Sequence, residues 1–163
     1  MEIMPGDIFS LLGLSSVPEA GWQQLLVISY RLMLALLVGG VLGFEREMQD
    51  KAAGLRTHML VALGAALFTM VICLDPQSTP SDLSQVVKGV AAGVGFLGAG
   101  AILKGSRPDE IQGLTTAASI WMAAAAGLAV GAGWIWIGLL ATAFAGLVLA
   151  LSRLTERGNH LDK

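Results

Sequence analysis

The residues best placed to do chemistry are charged groups set inside or against apolar runs, and polar pairs that open two of those runs. Arg31 lies within the run from Leu25 to Phe44. An arginine at mid-membrane depth costs roughly 2.5–3.5 kcal/mol on insertion scales, so such a side chain faces other helices or a wet cavity. There it would meet a carboxylate or an anion, and Asp75, Asp82 and Glu19 are the candidate partners. Snorkelling, a structural ion pair and membership of a polar site are all open readings. Glu45, Arg46 and Glu47 end the same run and are followed by Asp50 and Lys51. Arg31, Ala35, Gly39, Gly43 and Glu47 recur every four residues, which places them on one helical face. That face would turn Glu47 toward a bundle; the plainer alternative is a solvated i, i+4 pair with Lys51.

Gly54, Leu55, Arg56, Thr57 and His58 lead into the second apolar run, and Gly113, Leu114, Thr115 and Thr116 into the fourth. Thr57 is a candidate helix cap, and Arg56 with the free backbone N–H groups gives the position positive character. Two such N-termini side by side would suit an anion; ordinary capping is the other reading. His58 has no second His or Cys at ligand spacing and reads as a hydrogen-bonded interfacial residue rather than a metal ligand. Thr115, Ser119, Ala123, Gly127 and Gly131 form a second i+4 stripe, polar at one end and small throughout. Gly93, Gly95 and Gly98 spell GxGxxG, but inside an apolar run with no strand before it. No nucleophile and base pair and no Walker loop is present. An enzyme, a cofactor or a metal centre is not expected.

The elements that must position these residues are membrane helices. Of 163 residues, 55% are hydrophobic and 13% charged, with mean hydropathy +0.71, too little charge for a soluble domain of this size. Five spans are predicted at about 25–44, 58–74, 86–103, 114–131 and 134–151, making an all-α five-helix bundle. Residues 1–21 form an N-terminal surface segment, with Ser16, Pro18 and Glu19 opening the first helix. Residues 22–152 are the transmembrane domain and 153–163 a tail. Asp75, Pro76, Ser78, Pro80 and Ser81 mark a loop, and Gly131, Ala132 and Gly133 a tight hairpin. Arg46, Lys51 and Arg56 lie in the first loop, Lys104 and Arg107 in the third, and Arg153, Arg157 and Lys163 in the tail. The positive-inside rule then puts the N-terminus outside and the C-terminus in the cytosol. Nothing in the net charge of −2 favours nucleic acid, and Cys73, the only cysteine, reads as a packing residue.

The stretch from Gly89 to Leu103 holds five glycines. Glycine at that density lets membrane helices approach closely, so this third span is predicted as the central helix, packed against the Thr115–Gly131 stripe. Gly39, Gly43, Gly93, Gly95, Gly98, Gly100 and Gly127 are the expected packing positions. Alternatively, Gly95, Gly98 and Gly100 mark a break where backbone lines a cavity. A shift of 59 residues superposes Gly54, Leu55 and Thr57 on Gly113, Leu114 and Thr116, as in a parallel internal repeat.

GFERE at 43–47, AGLRTH at 53–58, GFLGAGAIL at 95–103 and GLTTAASIW at 113–121 together resemble the MgtC/SapB family of bacterial inner-membrane proteins. The resemblance implies a role in adaptation to low magnesium and, in some pathogens, in survival inside host cells. One branch of the family is linked to restraint of the ATP synthase. The matching motif residues are Arg31, Glu45, Arg46, Glu47, Gly54, Arg56, Thr57, His58, Gly98, Gly100, Thr115, Thr116 and Trp121. Family members of the MgtC type continue into a soluble C-terminal domain, whereas this chain stops soon after its last span and resembles the short SapB-like form. Two functions are expected as alternatives. One is a regulator that docks its glycine-rich spans on another membrane complex or a second copy of itself. The other is a small transporter or channel for magnesium or an anion such as phosphate. No Asp or Glu falls in the middle of any predicted span, which weighs against a dedicated divalent-cation route.

Overall fold

The structure, a computed structural model, describes residues 21–104 and 111–158. Ser16, Pro18, Glu19, Arg107 and Lys163, with the rest of the N-terminal segment, lie outside the described residues. Among the described residues five helices follow in order: α1 (Gly21–Glu47), α2 (Leu55–Leu74), α3 (Pro80–Ala101), α4 (Leu114–Gly131) and α5 (Ile135–Gly158). Two-residue strands β1 (Leu103–Lys104) and β2 (Ile111–Gln112) pair antiparallel between α3 and α4, Leu103 opposite Gln112 and Lys104 opposite Ile111. The first four helices are long and apolar enough to cross a membrane; the fifth apolar stretch, Ile135–Leu151, is shorter. The chain divides into two compact units, residues 1–30 and 31–163. In the first, Gly21 to Tyr30 are the opening turns of α1, with Trp22, Leu26 and Tyr30 exposed.

Helix boundaries follow local chemistry. At α1, Asp50 takes a left-handed φ of 51° and turns the chain toward α2; a short polar side chain tolerates that conformation. At α3 the Thr79 hydroxyl accepts the Asp82 N–H while the Asp82 carboxylate accepts the Thr79 N–H at 2.8 Å, a capping box with Pro80 in the first turn. That box starts α3 six residues before the predicted Val86, so Pro80 and Ser81 are helical rather than loop. Gly133, at φ +88°, ends α4 by the left-handed route open to glycine, its N–H bonded to the Val130 carbonyl at 3.0 Å.

Within residues 31–163, every core cluster contains α4. Ala126 and Val130 pack with Ala35 and Val38 of α1 and Ala62 and Ala66 of α2. Ile120 and Ala124 meet Ala65 of α2 and Val94 of α3. Ala123 meets Leu42 of α1 and Leu149 of α5. In its most apolar window 56% of α4 is buried, against 11% of α3. The central helix is therefore α4, not the glycine-rich third span. A Cβ built on Gly127 or Gly131 would run into the carbonyl of Ala62 or Ala66, so the second small-residue stripe packs on α2 and not on α3. Because Ala62 and Ala66 on α2 advance with Gly127 and Gly131 on α4, the two helices run parallel. Gly39 and Gly43 of α1 seat the start of α2 in the same way, with a Cβ on Gly43 2.7 Å from Leu55 Cα.

The expectation fails for Gly93, Gly95 and Gly100, where a Cβ would meet nothing within 4 Å; on α3 only Gly98 comes close, to Ala117. Glycine density marks a permissive surface, and this chain leaves most of that surface uncovered. The helix is also unbroken from Pro80 to Ala101, which removes the cavity-lining break.

Candidate functional site

The polar residues gather where the end of α1 meets the starts of α2 and α4. Arg46 is 1% exposed despite its charge. Its Nε donates to the Glu45 carboxylate, whose other oxygen accepts from the Gln49 amide, and Gln49 Oε1 accepts from Arg46 Nη2 at 3.4 Å. The three side chains thus close a ring around the guanidinium, as a charge removed from water requires. Glu47, one residue on, is exposed, but it turns back across the loop so that its carboxylate accepts the Leu55 N–H at 2.8 Å. It caps α2 through a group eight residues away in sequence. The proposed Glu47–Lys51 pair is not formed among the described residues, and Glu47 faces the loop rather than the bundle. Thr57 is exposed and does not cap; Gly54 stands at that position.

His58 is fully buried, inside the bundle rather than at its boundary. Its Nδ1 lies 2.8 Å from the Gly54 carbonyl oxygen and its Nε2 2.9 Å from Ser119 Oγ on α4. Ser119 Oγ in turn lies 2.8 Å from the Thr116 carbonyl oxygen. Of the predicted site residues, Glu45, Arg46, Glu47, His58, Thr116 and Ser119 come together at this end. Arg56, Thr57, Thr115 and Trp121 are exposed and stand outside the network.

Arg31 is elsewhere. It lies fifteen residues before Arg46 on α1, about 22 Å along the axis, and donates from Nη1 to the Gly131 carbonyl at 3.1 Å. Neither Asp75 nor Asp82 is its partner: Asp75 accepts the Gln77 N–H and Asp82 is used in the capping box. The guanidinium packs on Gly133, where a Cβ would stand 2.9 Å from Nη2.

Two polar residues escaped sequence reasoning. Gln49 closes the Arg46 ring, and its spacing of three and four from Arg46 and Glu45 was the available signal. Lys88 lies exposed on α3 within a membrane-length helix, where a lone lysine in an apolar run should have been weighed beside Arg31. Among the described residues no group of three or more His, Cys, Asp and Glu could hold a metal ion.

Comparison with known proteins places this arrangement. The model of the MgtC family matches residues 32–157. The chain belongs to the MgtC family. It is 45% identical to "Protein SrpB" of Synechococcus elongatus over 86% of this chain and 81% of that protein. It is 41% identical to "Putative magnesium transporter YhiD" of Escherichia coli K12, over 81% of this chain and 66% of the relative. With "Protein MgtC" of Brucella abortus it shares 42% identity over 81% of this chain and 54% of the relative. The chain thus spans little more than half of that MgtC and just under two thirds of YhiD. No solved structure matches it. Family membership and four membrane-length helices make this a multi-pass membrane protein.

Proposed function

We propose that the protein is a non-enzymatic regulator of membrane physiology under magnesium limitation, seated in the bacterial inner membrane and acting by helix packing on a membrane partner. The observation that carries this reading is the contrast between its two kinds of small-residue surface. Gly39, Gly43, Gly127 and Gly131 close the interior against backbone. Gly64, Gly89 and Gly93 instead line an apolar groove of about 600 Å3 between α2 and α3, where nothing stands within 4 Å of their Cβ positions. Helices in lipid associate through such small residues. The charge sorting that puts the N-terminus outside and the C-terminus in the cytosol gives the Arg46 end a cytosolic setting.

The alternative, ion transport, is favoured by the printed name of the Escherichia coli relative. Against magnesium as the cargo, the charged or titratable side chains buried in the core, among the described residues, are Arg46 and His58, accompanied by threonine and serine hydroxyls. A buried arginine repels a dication. Flux of magnesium, phosphate and protons into proteoliposomes, together with growth of a deletion strain at low magnesium, separates the readings. Restored growth with no flux from folded protein supports the regulator; flux above empty vesicles overturns it.

A further inference from the structure

The 59-residue shift that superposes Gly54 and Thr57 on Gly113 and Thr116 carries contacts as well as letters. A Cβ at Gly39 would meet the His58 carbonyl, and a Cβ at Gly98 would meet Ala117; both members of the second contact lie 59 residues after those of the first. The pair α3 and α4 is thus arranged like the pair α1 and α2, about an axis that runs along the helices between the parallel α2 and α4. Exchanging the pairs turns the α1–α4 side of the bundle into the α2–α3 side. The first of these sides is occupied by α5. Leu149 packs with Leu42 of α1 and Ala123 of α4, and Leu139 packs on the cluster that holds Ala35, Val38, Ala126 and Val130. The shift takes Ala35 and Val38 to Val94 and Leu97 on α3, and takes Ala123 back to Gly64 on α2. Those three residues line the open apolar groove of about 600 Å3. The groove is therefore the counterpart of the seat of α5, and it is shaped for a helix running parallel to α3, as α5 runs parallel to α1.

The occupant must be uncharged where it meets the groove, because every residue lining the groove is apolar. In the seat that is filled, α5 presents Gly138, Thr142 and Ala145, spaced by four and three, to the bundle. Gly89, Gly93 and Phe96 on α3 repeat that spacing, and all three are open, Phe96 being 82% exposed. A twofold axis along the membrane normal keeps helix direction, so a second copy brings its own α3 to the groove in the parallel sense that the seat requires. We propose that the groove is filled by a second copy of this chain: α3 of each copy lies between α2 and α3 of the other, with Phe96 set over the partner copy's Gly64. The contact is isologous, and small residues on both sides let the backbones come close. Lys88, two residues from both Val86 and Val90, lies on the side of α3 away from the groove, so the two lysines do not face each other. The proposal names the partner at the groove on which the regulator reading rests. A monomer would remove the dimer and leave the regulator to be judged by flux and growth.

The test uses the full-length chain in lipid vesicles, with its only cysteine removed by Cys73→Ser. Two tagged forms, Gly64→Cys and Phe96→Cys, are reconstituted together and oxidised. They should join as a disulfide-linked dimer, whereas Gly64→Cys with Phe144→Cys, on the exposed face of α5, should not. Counting photobleaching steps of labelled protein at falling density in the bilayer should show pairs. Gly93→Leu fills the groove and should weaken pairing about tenfold or more, the effect of overpacking a close contact. Gly95→Leu, on α3 outside the groove, should leave pairing unchanged. Single steps at every density overturn the dimer, as does crosslinking that ignores position or pairing that ignores Gly93→Leu. A monomer that retains phospholipid in native mass spectrometry, and loses it with Gly93→Leu, gives the groove to an acyl chain and also overturns it. The crosslinking pattern decides the matter even if Gly93→Leu does not fold.

Discussion

The carboxylate of Glu47 accepts the backbone N–H of Leu55 at 2.8 Å, so the last residue of α1 caps the first residue of α2. The loop between them is thereby tied at both ends. Glu47→Ala should lower stability by about 0.5–2 kcal/mol, the range for losing a cap. Glu47→Gln keeps an acceptor and should recover most of it. Thermal unfolding of both variants in detergent reads the difference. Gly54→Ala should behave like the worse of the two, because its Cβ would collide with the Glu47 carboxylate.

Gly127 and Gly100 are the same residue type in helices of one membrane protein, with opposite surroundings. A methyl at Gly127 would strike the Ala62 carbonyl, while one at Gly100 would meet nothing within 4 Å. Gly127→Ala is expected to cost about 1–3 kcal/mol through overpacking, and Gly100→Ala to leave the midpoint unchanged or slightly raised through helix propensity. Equal midpoints for the two variants would contradict the packing described.

Arg46 and Glu45 form a pair with side chains 1% and 12% exposed. Removing one partner of a buried pair leaves a charge without compensation, so Arg46→Met should destabilise by about 3–5 kcal/mol. Combining it with Glu45→Gln should cost less than the sum of the single changes. A double-mutant cycle on unfolding midpoints in denaturant measures that coupling.

Arg31 holds the Gly131 carbonyl, and its guanidinium occupies the space beside Gly133. Arg31→Ala is expected to loosen the turn between α4 and α5 and to cost about 1.5–3 kcal/mol, as for a charged hydrogen bond. Gly133→Ala should be comparably damaging, since it combines a left-handed φ with a contact to that guanidinium. Protease sensitivity of the turn, compared across the two variants in vesicles, checks this.

The sequence reading succeeded where a local signal has a local consequence. Gly113 before Leu114 and the Gly131–Gly133 turn delimit α4 as predicted, and the four-residue recurrence of Ala35, Gly39 and Gly43 does mark a contact face. It failed where the answer lay with the neighbour. In lipid the outward face of a helix is as apolar as the inward one, so nothing in the pattern of α3 says that Gly95 faces outward while Gly127 of α4 faces α2. Glu47 failed for a related reason: its position on the helical face is right, but an N–H eight residues later redirects the side chain. His58 was recognised as hydrogen-bonded, yet its partner Ser119 is 61 residues away and no spacing announces it.

The parallel contact between α2 and α4, with α3 on the outside, carries a consequence for biogenesis. Each helix can enter the bilayer singly, and association follows. When α1, α2 and α3 have emerged from the ribosome, Ala62, Ala66 and the outer side of His58 still await α4, the helix that covers them. The nascent chain therefore passes through a three-helix stage in which that face of α2 is open to lipid or to an insertion factor, and synthesis of residues 114–131 ends that exposure.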